Sequence, residues 1–284
     1  TESIGSILAH RGAEDLFDDL LKRFARHSGI SGMQPKVLVR DSSAVLDKIA
    51  SRGATHIVKS FNPREYPELA ANEYFSMRAA HHAGLPTARV SLSENRAVLV
   101  VERFDRTPEG NYLGFEDFCV LSGLRANGRY SSSYEALAKK ISVFVSPENH
   151  PAAMQQFFGM VALATMIRNG DAHLKNFAVL YDAPGVNVRL APVYDMLSTA
   201  PYLPKDVMAL ELEGSKEYPS RRQLVRFARQ SCGLSRRNAD RVLTELALGV
   251  EKTLAEMQAY AVEHPDFQES AEHFTRLFST PLRE

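Results

Sequence analysis

Apolar positions in the first part of the chain switch between two periods. Leu16, Phe17, Leu20, Leu21 and Phe24 recur at helical spacing with charges between them, which predicts a helix over residues 13–26. The small-residue stretch Ser28-Gly29-Ile30-Ser31-Gly32 then reads as a loop. Lys36-Val37-Leu38-Val39-Arg40 reads as a strand, and residues 54–61 as a second β-rich run closed by Asn62-Pro63. From Tyr66 to Ala83 the helical period returns through Leu69, Asn72, Glu73, Phe75, Met77 and Ala80, with Gly84 and Pro86 as stop signals in the expected order. Strands are expected at 87–93 and 96–102, and the unbroken apolar run from Ala97 to Val101 predicts a strand buried in a sheet.

After Arg106 strand signals become sparse. Helical periodicity predicts helices at 115–122, 131–145, 151–168, 220–230, 235–262 and 266–278. One exception is the strand-like run from Phe177 to Tyr181, with Val186 to Leu190 as its expected partner. The fold class expected is therefore α+β in two lobes, a small sheet-rich one over 1–105 and a larger, mostly helical one over 106–284.

Composition changes this picture little. With 34 basic and 34 acidic residues the formal charge is zero, so no global field draws the chain to nucleic acid or to an anionic membrane. Arg221, Arg222, Arg226 and Arg229 read as a solvated helix face. Cys119 and Cys232 are far apart and have no metal-like spacing, which suggests two unpaired thiols in a reducing cytoplasm. The N-terminus has no signal pattern, and no apolar run approaches the ~18 residues of a membrane span. A soluble, cytoplasmic protein without membrane or direct nucleic-acid contact is expected.

The chemistry is concentrated in Arg168-Asn169-Gly170-Asp171-Ala172-His173-Leu174-Lys175-Asn176-Phe177, between an amphipathic helix and a short strand. An Asp with an Asn five positions later in such a loop is the layout used for phosphoryl transfer, the Asp accepting a hydroxyl proton and the Asn oxygen holding a metal. The same residues also suit an ordinary turn, since Asn-Gly-Asp caps neighbouring backbone. Asp195, in Ala191-Pro192-Val193-Tyr194-Asp195-Met196 just after the expected hairpin, favours the first reading, because magnesium prefers carboxylate oxygens together with substrate phosphates. Upstream, Lys59 sits among apolar strand neighbours and needs an anion, and Glu73 on the next helix is a candidate partner. The strand ending at Val101-Glu102-Arg103-Phe104-Asp105-Arg106 would offer hinge backbone to an adenine. The Ser28–Gly32 loop could cover phosphates, although it lacks G-x-G-x-x-G, and no Walker-type motif occurs in the chain.

In this order the segments resemble the HipA-like serine/threonine kinases of bacterial toxin–antitoxin systems. The matching residues are Ser31-Gly32-Met33-Gln34-Pro35-Lys36, Ile57-Val58-Lys59, Asn72-Glu73, Val101 to Arg106, Glu116-Asp117-Phe118-Cys119, Asn169 to Phe177 and Pro192-Val193-Tyr194-Asp195. The resemblance implies a protein-kinase-like fold that uses ATP and Mg2+. It implies Lys59 on the ATP phosphates, Glu102 and Phe104 at the adenine, Asp105 at the ribose and His173 near the phosphates. It further implies Asp171 as base and Asn176 with Asp195 as metal ligands. Longer family members carry a further segment ahead of the glycine-containing loop. Its lack here is similar to the short HipT-type toxins, where a small protein, HipS, corresponds to that segment and HipB is the DNA-binding antitoxin. The family's loop carries an inhibitory autophosphorylation serine, which maps to Ser31, with Ser28 as a second candidate. By the same resemblance the substrate is an aminoacyl-tRNA synthetase, with tryptophanyl-tRNA synthetase favoured. A kinase-shaped binding module without turnover and a small-molecule phosphotransferase are the alternatives that the residues leave open.

Overall fold

A computed structural model describes residues 4–9, 36–39 (backbone only), 54–61, 63–203 and 205–284. The helix expected at 13–26 and the Ser28–Gly32 loop, with Ser28 and Ser31, lie outside the described residues. The chain divides into two compact units, Thr1–Tyr74 with Ala88–Tyr112 and Phe75–Thr87 with Leu113–Glu284. This differs from a single cut between 105 and 106 in that residues 75–87 fall with the larger unit and residues 106–112 with the smaller.

After a short first helix, α1 (Ile4–Ala9), the first unit is built on four strands: β1 (Lys36–Val39), β2 (His56–Ser60), β3 (Val90–Leu92) and β4 (Val98–Glu102). They form one antiparallel sheet in the order β1-β2-β4-β3, with Lys59 opposite Leu99 and Val58 opposite Val100. The four apolar residues Val98 to Val101 are all buried, as their unbroken run predicts. Each fully buried side chain of this size contributes about 1.5–3 kcal/mol of transfer free energy. The β3–β4 turn is set by Arg96 in left-handed backbone (φ 59°), and its guanidinium clasps both oxygens of Glu68. Helix α2 (Leu69–His82) follows β2, and the unit boundary falls inside it.

The second unit holds a three-stranded antiparallel sheet, β5 (Gly114–Asp117), β6 (Ala178–Tyr181) and β7 (Arg189–Leu190), in that order. Its helices are α3 (Tyr134–Phe144), α4 (His150–Met166), α5 (Arg221–Gln230), α6 (Arg236–Glu263) and α7 (Gln268–Phe278). Ser133, Ser220 and Ser235 cap α3, α5 and α6 by accepting a backbone N–H. Helix α4 is apolar on nearly all sides and buried from Ala153 to Thr165 apart from Gln155 and Gln156, as a helix without a polar face must be. Phe157 of α4 meets Phe177 and Phe227 edge-on, at 5.4 and 5.9 Å between ring centres. Among the described residues no helix is long and apolar enough to cross a membrane.

The helix expected over 115–122 does not form. Its first residues are strand β5, paired with β6 from Gly114↔Tyr181 to Asp117↔Ala178. An eight-residue helical pattern is too short to stand alone, and ladder hydrogen bonds to β6 outweigh it. Gly114 permits the pairing, since a Cβ there would fall 1.9 Å from the Tyr181 ring. Asp117 ends the strand by accepting the Val120 N–H at 2.9 Å.

Candidate functional site

In the first unit, Lys59 and Glu73 meet. Lys59 Nζ lies 2.5 Å from Glu73 Oε1, with the side chains 3% and 1% exposed. Burial this complete forces the two charges together, because either one alone in the interior would cost several kcal/mol. Glu102, Phe104 and Asp105 stand at the end of β4 and just beyond it. The Glu102 N–H already donates to Arg89 C=O (2.9 Å) and the Arg103 N–H to Thr55 C=O (2.8 Å). The Asp105 carboxylate is gripped on both oxygens by Arg103, at 2.9 and 2.6 Å. That partner was missed in the sequence, because the pair forms where the chain bends just after β4.

In the second unit, α4 ends where Arg168 turns into left-handed backbone (φ 57°) and the Asn169 N–H returns to Ala164 C=O at 2.8 Å. Asn169 is buried, and its Oδ1 accepts the Asp171 N–H at 2.9 Å, the side chain-to-backbone bond of an Asx turn. Asp171 therefore projects from a braced turn with 48% of its side chain exposed. Its Oδ1 accepts the Tyr130 hydroxyl at 2.5 Å and lies 3.8 Å from His173 Nε2. Tyr130 belongs to an irregular segment before α3, and no periodicity marked it. Burial and the bond to Asp171 hold its phenol above the usual range.

The His173 ring is buried against Tyr130, with 5.0 Å between ring centres, and its Nδ1 has no hydrogen-bond partner among the described residues. Burial holds this imidazole below the usual histidine range, with the Asp171 carboxylate pulling the other way, so it is neutral at pH 7. Asn176 closes the one-turn helix Leu174–Asn176 and is buried, its Oδ1 accepting the His173 N–H at 3.3 Å. Asp195 lies in left-handed backbone (φ 53°). The Tyr194 hydroxyl donates to Lys175 C=O at 2.7 Å, which ties the chain neighbour of Asp195 to that of Asn176. Lys175 in turn bonds Asp117 at 2.8 Å, so β5 holds the same turn from the sheet side.

Asn176 and Asp195 are hard oxygen donors, and Asn176 Oδ1 keeps a second lone pair beside the one given to His173. Such a pair fits a magnesium ion whose remaining ligands are phosphate and water oxygens. Cys119 and Cys232 are buried free thiols held above the usual range, Cys232 at about 12, as structural cysteines are.

A second layer, also missed in the sequence, lies in the irregular connection between β7 and α5. Thr199 Oγ1 accepts the Gly170 N–H at 2.5 Å and bonds Asp206 Oδ2 at 2.9 Å, and the Tyr218 hydroxyl donates to that same oxygen. The Arg168 guanidinium sits over the Tyr218 ring at 4.7 Å.

Residues 28–254 match the family model for the HipA-like C-terminal domain. A Haemophilus influenzae protein named as a candidate kinase is 30% identical over 187 residues, covering 61% of this chain and 53% of its own length. Two candidate kinases of Sinorhizobium fredii are 30% and 32% identical over 58% and 61% of this chain, and 42% and 43% of their own lengths. The chain thus spans about half the length of the curated relatives it matches. Among solved structures, HipA in the HipA, HipB and operator DNA complex of a Shewanella oneidensis MR-1 toxin–antitoxin system shares the fold. The TM-score is 0.70 at 23% identity, over 89% of this chain and 64% of that one.

Proposed function

Because the chain belongs to the HipA-like C-terminal domain family, we propose that it is an ATP-dependent serine/threonine protein kinase acting as a toxin. The observation that carries this reading is Asp171: a half-exposed carboxylate on a braced turn, already accepting a hydroxyl proton donor at 2.5 Å. A substrate serine or threonine hydroxyl would take the place of the Tyr130 hydroxyl there. Asp171 would accept its proton as the hydroxyl oxygen bonds to the γ-phosphorus and the bond to the β-phosphate oxygen breaks, releasing ADP.

Lys59, oriented by Glu73, would neutralise ATP phosphate charge. A base contact at Glu102 would use its carbonyl oxygen, because its N–H is engaged with Arg89, and Phe104 would supply the second backbone contact. Asp105 would reach the ribose with the oxygen lone pairs that Arg103 leaves. His173, neutral at pH 7, would stand near the phosphates as a hydrogen-bonding group rather than a charge. Asn176 and Asp195 would hold Mg2+, which supplies charge neutralisation at the phosphates when bound.

Autophosphorylation at Ser31, with Ser28 as the alternative candidate, would add about −1.5 to −2 charges to the glycine-containing loop and weaken ATP binding by repulsion. The substrate proposed is an aminoacyl-tRNA synthetase, with tryptophanyl-tRNA synthetase favoured, and its modification would stop translation in the cytoplasm. The partners proposed are a HipB-like DNA-binding antitoxin and a HipS-like small protein. The Shewanella HipA, solved with HipB and operator DNA, supports the first of these.

The direct test is phosphate transfer from ATP by the purified chain and its Asp171→Asn variant. Loss of the proton acceptor at nearly constant shape should lower transfer by about 10²-fold or more. Undiminished transfer would remove Asp171 from the mechanism.

A further inference from the structure

The Asp171 turn is held from behind by a chain of groups with a definite direction. The Thr199 hydroxyl reaches two acceptors, Asp206 Oδ2 at 2.9 Å and the Arg168 carbonyl at 3.1 Å. That carbonyl already receives the Thr199 N–H at 2.9 Å, so the single hydroxyl proton serves best at Asp206. With the proton there, Thr199 Oγ1 presents a lone pair to the Gly170 N–H. The order is then Gly170 N–H to Thr199, Thr199 O–H to Asp206, and Tyr218 O–H to the same carboxylate oxygen. An ionised carboxylate at the end of such a chain polarises the hydroxyl and strengthens the bond to Gly170. The fit is close: a Cβ on Gly170 would lie 2.2 Å from Asp206 Oδ1 and 2.4 Å from Val207 O.

We propose that Asp206, acting through Thr199, is a positioning residue that fixes the backbone of the Asp171 turn, with Tyr218 and Arg168 holding Asp206 in place. Asp206 touches no reacting atom. It sets where Gly170, and with it Asp171, sits. The consequence for catalysis rests on the kinase reading of Asp171, whereas the consequence for the turn does not.

The test compares Thr199→Val, which keeps the shape and removes the hydroxyl, with Thr199→Ser, which keeps the hydroxyl, and with Asp206→Asn. Two quantities are read on the full chain: hydrogen exchange of the amides in residues 168–173, and kcat with KM for ATP. Thr199→Val should speed exchange at Gly170 and lower kcat, each by about threefold to tenfold, the worth of one net hydrogen bond. KM for ATP should stay within about twofold, since the loss falls on orientation rather than on nucleotide binding. Asp206→Asn should follow Thr199→Val, and Thr199→Ser should stay near the native values. Native exchange and native kcat in Thr199→Val would overturn the proposal. So would a Thr199→Ser variant as impaired as Thr199→Val, because methyl packing would then account for the effect. A native chain that consumes no ATP, yet shows the exchange difference, would remove the kinase reading and leave the hold on the turn standing.

Discussion

Replacing Gly170 with alanine perturbs the Asp171 turn through volume alone. The φ of Gly170 lies outside the left-handed range, so alanine meets no left-handed strain there. The added Cβ would fall 2.2 Å from Asp206 Oδ1 and 2.4 Å from the Val207 carbonyl oxygen, against a practical minimum of 3.0 Å. The turn or its neighbours must therefore yield by about 0.8 Å at the first contact and 0.6 Å at the second. Asp206 can rotate aside only by leaving the Tyr218 and Thr199 hydroxyls, and Val207 O is backbone. Overpacking of this kind costs about 1–3 kcal/mol, which corresponds to a fall in melting midpoint of about 2–12 °C for a chain of this size. A misplacement of about 1 Å can cost 10²-fold in rate, so a displacement somewhat below that should lower kcat by about 10- to 100-fold. The assay is steady-state phosphate transfer beside thermal unfolding, with Gly233→Ala as comparator. Gly233 has open space around it but φ +67°, so its alanine variant should lose about 1 kcal/mol of stability at unchanged kcat. A Gly170→Ala protein with kcat within about threefold of native would refute the steric argument.

Two further outcomes are expected. Glu73→Gln breaks a pair whose members are 3% and 1% exposed, and should destabilise the chain by about 3–5 kcal/mol, whereas Lys59→Met with Glu73→Leu together should recover most of that loss while abolishing ATP binding. Denaturant unfolding of the single and double variants measures it, and a double variant no more stable than Glu73→Gln would contradict the buried-pair account. Burial raises the Asp206 carboxyl above its ordinary range, against the opposing hydrogen bonds from Tyr218 and Thr199 and the charge of Arg168. The folded state thus keeps that proton to higher pH than the unfolded state, and the stability it contributes is lost as pH rises through the folded pKa. Melting midpoints of Asp206→Asn should gain on those of the native chain as pH rises above about 4, the ordinary aspartate value, and parallel curves would show that the group does not titrate on unfolding.

Much of the local order could be read from spacing because it is set by near neighbours. The β-rich and apolar runs gave β2, β4 and β6, the helical period with its stop signals gave α2, and the helical period alone gave α3 to α7 to within a few residues. Lys59 and Glu73 could be paired in advance because a buried ammonium demands an anion on the next element. What escaped is set by contacts distant in sequence. Strand β5 exists because β6 pairs with it, and its own residues alternate too weakly to announce a strand. Tyr130 reaches Asp171 across 41 residues from a segment without period, and Asp206 and Tyr218 lie in a long irregular connection. Irregular chain leaves no periodic trace, so the bracing of the turn had no signature to find.

The left-handed backbone at Asp195 bears on how this gene would decay. Aspartate codons reach seven other amino acids by one nucleotide change, and of these asparagine and glycine settle most readily at φ 53°, with histidine next. Valine, tyrosine, alanine and glutamate would carry backbone strain of about 1–3 kcal/mol in addition to the lost carboxylate. Alleles sampled at this codon should therefore fall into two populations. Asn and Gly forms should accumulate to native abundance as folded proteins, without phosphate transfer if the proposed role of Asp195 holds. Those carrying that strain should be turned over sooner.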